Sequence, residues 1–199
     1  MFQLGKILLL STVSVLGTAS VAANAIGNTL ASFQVVPGTA LGLAIVTVVS
    51  RCAGASEYDR ARYYTKKMMR TAYLYTVLVI ALILACLPLI LKLYNVSDQA
   101  REWATQILWM HGLCGILIWP LAFTLPQALR AAGDTRFTMV ASTVSMWTLR
   151  VGLGVLLGRY WGFGVLGIWM AMFADWALRA ALFVPRFHGH KWETMGLEN

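Results

Sequence analysis

Charge is what this sequence has least of. Acidic and basic side chains make up 12% of its 199 residues, against about 25% in a typical water-soluble domain. Apolar residues reach 59% and the mean hydropathy is +0.68. Too few charges remain to cover a soluble domain, so the chain belongs in a bilayer. Acids are the scarcer sign, eight against sixteen basic residues, and one of them, Asp175, falls inside a long apolar run. An intramembrane enzyme needs a nucleophile with its base, or clustered metal ligands, at membrane depth. One histidine, one aspartate and no acidic pair do not supply them, so the sequence does not read as an enzyme. Cysteine is sparse too. Cys52, Cys86 and Cys114 form no C-x-x-C pair, and the last two lie in apolar runs, which excludes a disulfide framework or thiolate metal site and leaves inert thiols. His188 and His190 stand in the tail without a third ligand, so no metal site is expected there either. The net charge of +8 does not point to nucleic acid, because the charges gather in short segments between long uncharged runs, as membrane loops do.

What the chain does have is length without charge. A helix needs about 20 apolar residues to cross the hydrocarbon core. Residues 7–50 carry no charge over 44 positions, enough for two crossings, divided at "AIGNTLAS" where Gly27, Asn28 and Thr29 offer turn chemistry. Residues 71–91 and 103–129 give two more. Residues 137–158, interrupted by Arg150, and 160–185, interrupted by Asp175 and Arg179, complete six. The expectation is an all-α membrane protein, one transmembrane lobe over 1–199. Its helices fall near 5–26, 30–50, 71–92, 104–130, 136–158 and 163–185, with a basic loop at 51–70.

That loop holds Arg51, Arg60, Arg62, Lys66, Lys67 and Arg70, and basic loops stay in the cytoplasm. Alternating from it places eleven basic residues inside (these six with Lys6, Arg130, Arg136, Arg186 and Lys191). Lys92, Arg101 and Arg159 fall outside. Both termini are therefore expected in the cytoplasm of a multi-pass protein of the plasma membrane. Tyr94, Trp103, Tyr160 and Trp161 fall at the outer interface and Trp192 at the inner one, where amphipathic rings favour the headgroup layer. Ser56 followed by Asp59 suggests a helix start near Glu57, and the loop reads as a surface helix. Gly133 suits a helix C-terminus, and Asp134 or Thr135 the next N-cap. The opening "GKILLLSTVSVLGTASVAANA" has the outline of a cleavable secretory signal. Its Ala-rich end at 19–26 equally suits close helix packing in lipid.

Charges inside the membrane carry the first functional weight, since each costs about 2.5–3.5 kcal/mol at a helix centre. Arg150 lies eight residues before Gly158 and Asp175 eleven after Gly164. At 1.5 Å per residue these depths are about 12 and 16 Å, close enough for a salt bridge, which Arg179, one turn deeper, can share. Asp175 then reads either as the partner that keeps Arg150 in lipid or as a ligand for a proton or sodium ion. The fourth crossing contains Pro120 and Pro126 with Gly112 and Gly115, and broken helices of this kind line transporter cavities. Met110, Trp119 and Phe123 either give that wall a soft surface for lipophilic cations or fill gaps. Gln34, beside Pro37, is a candidate to hydrogen-bond a substrate. His111 is a hydrogen-bonded membrane residue or a protonatable relay.

The last third, "LPQALRAAGDTRFTMVASTVSMWTLRVGLGVLL" and "GFGVLGIWMAMFADWALRAALFVPRFHGHKW", resembles the end of a multidrug and toxic compound extrusion (MATE) transporter. The matching elements are Leu129-Arg130 ahead of Gly133-Asp134-Thr135-Arg136-Phe137, then Arg150, Gly164, Gly167, Trp169, Asp175-Trp176, Arg179 and Lys191-Trp192. "LGTASVAANAIGNTLASF" is similar to the family's seventh helix and the turn after it, and "GLAIVTVVSRCAGASEYDRAR" to the end of the eighth and its basic loop. The resemblance makes the Ala-rich stretch a retained packing surface, and the first helix looks short at its start. It implies one lobe of a twelve-helix transporter, the C-terminal half. The chain is then a fragment, a truncated product or a half that pairs with another lobe. Also implied are organic cations as substrates, the lipid bilayer and a missing N-terminal lobe as partners, and Na+ or H+ as coupling ion, with no cofactor or metal. The resemblance further makes the Arg150–Asp175–Arg179 group architectural. In some members the coupling carboxylates sit on the seventh and tenth helices. Here the corresponding first and fourth runs carry no acid. The same superfamily offers flippases of lipid-linked saccharides as the alternative function, and a non-functional remnant as another.

Overall fold

A computed structural model describes residues 2–194. Among them are helices α1 (Phe2–Val15), α2 (Thr18–Gln34), α3 (Val36–Gly54), α4 (Tyr58–Leu93), α5 (Asp98–Leu117), α6 (Leu125–Ala131), α7 (Thr135–Ser145), α8 (Gly164–His188) and α9 (Lys191–Thr194), and no strand. Wide π-helical turns occupy Pro120–Thr124 ahead of α6, and Met146–Leu153 and Leu156–Tyr160 after α7. By length and apolarity α3, α4, residues Thr135–Tyr160 and α8 can each cross a membrane. The stretches Asp98–Leu117 and Pro120–Ala131 qualify together as a fifth, bent span, and Gln3–Val15 is a shorter apolar helix.

The first boundary differs from the sequence expectation. The proposed helix over 5–26 breaks at Gly17, whose φ of +97° is open to glycine and strained for other residues. The proposed turn at Gly27-Asn28-Thr29 is helical. Its side chains bond inside the helix instead of turning it: Asn28 Nδ2 donates to the Asn24 carbonyl at 2.8 Å and Thr29 Oγ1 to that of Ala25 at 2.9 Å. Gly27 is there for contact, since a Cβ on it would meet Ile107 at 2.9 Å and Trp169 at 3.0 Å. The next break falls at Val35, where Pro37 occupies the first turn of α3 and can donate no hydrogen bond.

The basic segment is divided. Arg51 lies in the last turn of α3, and 58–70 form the start of the 36-residue α4. Between them Ser56 takes a positive φ of 57° and Glu57 N–H closes on the Cys52 carbonyl at 2.8 Å. Gly133, at φ +100°, ends α6 as expected. Asp134 N–H returns to Leu129 O at 3.0 Å, a closure that satisfies a terminal carbonyl. The fourth crossing starts earlier than expected, at Asp98, and breaks at Ile118 and Trp119, beside Pro120.

Packing divides the chain into two units, each assembled from three separated stretches. The first comprises 2–34, 79–114 and 143–175. Within it Leu9 and Val13 of α1 pack on Ile168 of α8. The second comprises 35–78, 115–142 and 176–194. Its core joins Ile45 and Val49 of α3, Leu125 and Leu129 of α6, and Phe183 and Phe187 of α8, with Trp192 fully buried. Trp192, expected at the inner interface, packs into this core. Tyr160 and Trp161 are exposed.

Candidate functional site

Asp175 is fully buried on α8. The Ser145 hydroxyl donates to its carboxylate Oδ1 and lies 3.2 Å from its backbone carbonyl. Arg150, in the wide turn that follows α7, brings Nη1 to 4.0 Å from Asp175 Oδ2. Its Nη2 lies 3.0 Å from the thioether of Met172. The structure therefore brings together the two charges that helix geometry placed at similar depth. It adds a hydroxyl that no sequence signal announced.

Gln34 and His111, unconnected in the sequence reading, form one buried pair. His111 Nδ1 and Gln34 Oε1 lie 2.5 Å apart, and a carbonyl oxygen has only lone pairs, so Nδ1 carries the proton. Gln34 Nε2 has no hydrogen-bond partner. The imidazole meets Trp169 edge-on at 5.8 Å and Phe173 at 6.4 Å. Trp169 in turn donates its indole N–H to Asn24 Oδ1 at 3.1 Å. Beside it opens a cavity of about 320 Å³, lined by Lys6, Leu9, Asn24, Asn28, Arg150 and Trp169 among others. Lys6 thus borders a cavity in the first unit together with Arg150.

In the second unit Trp119 and Phe123 stack at 5.2 Å, and Phe123 meets Trp176 edge-on at 5.8 Å. The Arg179 guanidinium lies 5.2 Å from the centre of the Phe123 ring and donates to the Ser142 carbonyl at 3.1 Å. Trp119, Phe123, Arg130, Arg179 and Gln127 line a cavity of about 200 Å³. The aromatic pair expected to receive a lipophilic cation is therefore beside a cation of the protein's own. Met110, half-buried on α5, lines neither cavity. Among the described residues no three His, Cys, Asp or Glu side chains are grouped to hold a metal ion.

The sequence reading missed Asn24 and Met172 as lining residues and took Asn28 for part of a turn. The i, i+4 spacing of the two asparagines on one apolar helix was a legible signal for a polar stripe. It also missed the Arg62 clamp. Arg62 Nε and Nη2 both lie 2.5 Å from Glu193 Oε1. Its guanidinium donates to the carbonyls of Phe187 and Gly189 at 3.2 and 2.8 Å and sits 5.2 Å from the Trp192 ring centre. The exposed last carbonyls of a helix attract such a cation.

These features define an all-α integral membrane protein with charges held between its helices. The sequence profile of the MatE family matches residues 1–156, and the chain belongs to that family. It is 24% identical over 96% of its length to the probable multidrug resistance protein NorM of Thermotoga maritima. It is 25% identical over 96% to the probable multidrug resistance protein YoeA of Bacillus subtilis. The crystal structure of the eukaryotic MATE transporter AtDTX14 shares the fold, with a TM-score of 0.78 over 89% of this chain at 16% identity. The chain spans 41% of each bacterial relative and 40% of the solved chain.

Proposed function

We propose that this chain is one lobe of a secondary active transporter that exports xenobiotic organic cations from the cell. Export is driven by Na+ or H+ entry and completed by a second lobe. The lobe sits in the plasma membrane with both termini in the cytoplasm. The observation that supports this best is the match, nearly end to end, to two proteins named for multidrug resistance. In such a lobe Asp175 and Arg150 offset each other's charge in lipid, and the broken stretch around Trp119 and Pro120 supplies a place to bend. Gln34, Met110, His111, Trp119 and Phe123 remain the substrate-path candidates. One observation favours a second reading, export of lipid-linked saccharides: each cavity is lined by two basic side chains and no acidic one.

Ethidium accumulation in cells stripped of their own pumps tests the proposal. The chain is expressed alone and together with the first lobe of a full-length relative. Co-expression is expected to lower accumulation, and collapsing the sodium or proton gradient to restore it. Accumulation unchanged in both cases refutes export of such cations.

A further inference from the structure

The cavity of about 320 Å³ in the first unit lies at the lower end of the size range of small-molecule sites. Its lining is mixed in character. Leu9, Val13 and Ile168 form a packed apolar surface. The same lining includes the ammonium of Lys6, the guanidinium of Arg150 and the amide of Asn24. The Asn24 oxygen accepts the Trp169 indole N–H, which fixes the amide orientation and leaves Nδ2 as a donor. Asn28 Nδ2 donates to the Asn24 carbonyl, which holds the second carboxamide in place. Lys6 is exposed and, among the described residues, forms no ion pair. Arg150 is four-fifths buried, faces Asp175 at 4.0 Å and lines the same cavity.

No carboxylate lines this space. The charged groups that line it are both basic, so an organic cation meets like charge there, whereas a carboxylate or phosphate meets Lys6, the Arg150 guanidinium and an amide donor. We propose that this cavity binds the oxyanion head of an amphiphile, with its apolar body against α1. The proposal goes beyond the transport reading and does not depend on it. The oxyanion has two possible sources, a soluble organic acid or the headgroup of an anionic lipid.

The full chain in nanodiscs of phosphatidylcholine is titrated with three probes sharing one ring system: 2-naphthoate, 2-naphthylmethanol and 2-naphthylmethylammonium. Naphthoate is expected to bind about tenfold more tightly than the alcohol, the scale of a hydrogen bond to a charged group, and the ammonium most weakly. Lys6→Gln, at an exposed position, should remove the preference without changing the melting temperature. Asn24→Leu should weaken it. Repeating the titration in nanodiscs containing phosphatidylglycerol identifies the source. Loss of naphthoate binding assigns a lipid headgroup and unchanged binding a soluble acid, and either supports an oxyanion site. Equal affinity for all three probes, or a preference for naphthoate that survives both substitutions, overturns it.

Discussion

In the first unit the Asp175 carboxylate faces Arg150 across 4.0 Å and leans on the Ser145 hydroxyl. In the second unit Arg186 meets Asp134 at 2.6 Å while stacking 4.7 Å from the Phe137 ring, and Arg62 closes on Glu193 at 2.5 Å while bonding the last carbonyls of α8. The same residue types serve different ends. Arg62, Arg186 and Asp134 lie near helix ends, and Arg62 also bonds the carbonyls of Phe187 and Gly189 where α8 stops. Arg150 and Asp175 lie within the long apolar runs, where each offsets the other's charge. Among the described residues the short pairs Arg62–Glu193 and Arg186–Asp134 stand near helix ends, whereas Arg150 and Asp175 face each other within the apolar runs.

The largest effect that breaks this contrast is expected from Asp175→Leu. It removes the carboxylate that Arg150 faces, and removing one partner of a buried pair costs about 3 kcal/mol or more. Arg150→Met combined with Asp175→Leu should recover most of the loss, as read from thermal unfolding in detergent. If the double variant folds in the full-length transporter but no longer couples ion entry to export, the pair serves coupling and not architecture.

Next in size is Gly38→Ala, which sharpens the contrast by disturbing the second unit without touching a charge. The new Cβ would stand 2.3 Å from the Trp119 ring, and Thr124 already bonds the Gly38 carbonyl at 3.0 Å. Overpacking of this kind costs about 2 kcal/mol. Trp119 should leave its stack on Phe123, which near-ultraviolet circular dichroism would record. Unchanged ellipticity with unchanged stability would show that the ring has room.

The smallest effect belongs to the clamp at the end of α8. Arg62→Lys keeps the charge but loses the fork that reaches a carboxylate and two carbonyls at once, a loss of about 1 kcal/mol. Burial tends to raise the Glu193 pKa, but hydrogen bonds from His190 and Arg62 outweigh it and hold the carboxyl below its usual 4.5. A carboxyl more acidic folded than unfolded adds stability above its unfolded value, and that contribution fades as pH falls through the lower folded value. Wild type should therefore lose more of its melting temperature than Glu193→Gln between neutral pH and pH values below about 4.5. Equal losses would mean that the clamp carries no proton linkage.

The parts of the molecule that were legible share a cause. Gly133 and Ser56–Glu57 declare helix ends through local backbone needs. Arg150 and Asp175 met because comparable depth in a membrane helix follows from rise per residue alone. What stayed hidden depended on partners distant in sequence. Gly27-Asn28-Thr29 carry turn chemistry, and only the contacts of Gly27 with Ile107 and Trp169 explain why they remain helical. Gln34 and His111 were singled out separately, but no spacing rule relates positions 77 residues apart. The tail that binds Arg62 looked like a solvated basic end, because burial of Trp192 against Tyr58 and Phe187 leaves no local mark.

The proposed orientation in the membrane rests on the basic segment at 51–70 lying in the cytoplasm and on an even number of crossings between the two chain ends. Fusing green fluorescent protein or alkaline phosphatase to the C-terminus reads this directly, because the first fluoresces only inside the cell and the second is active only outside. Fluorescence without phosphatase activity is the expected result. Phosphatase activity without fluorescence would contradict the proposed topology and the assignment of this chain as a six-crossing lobe.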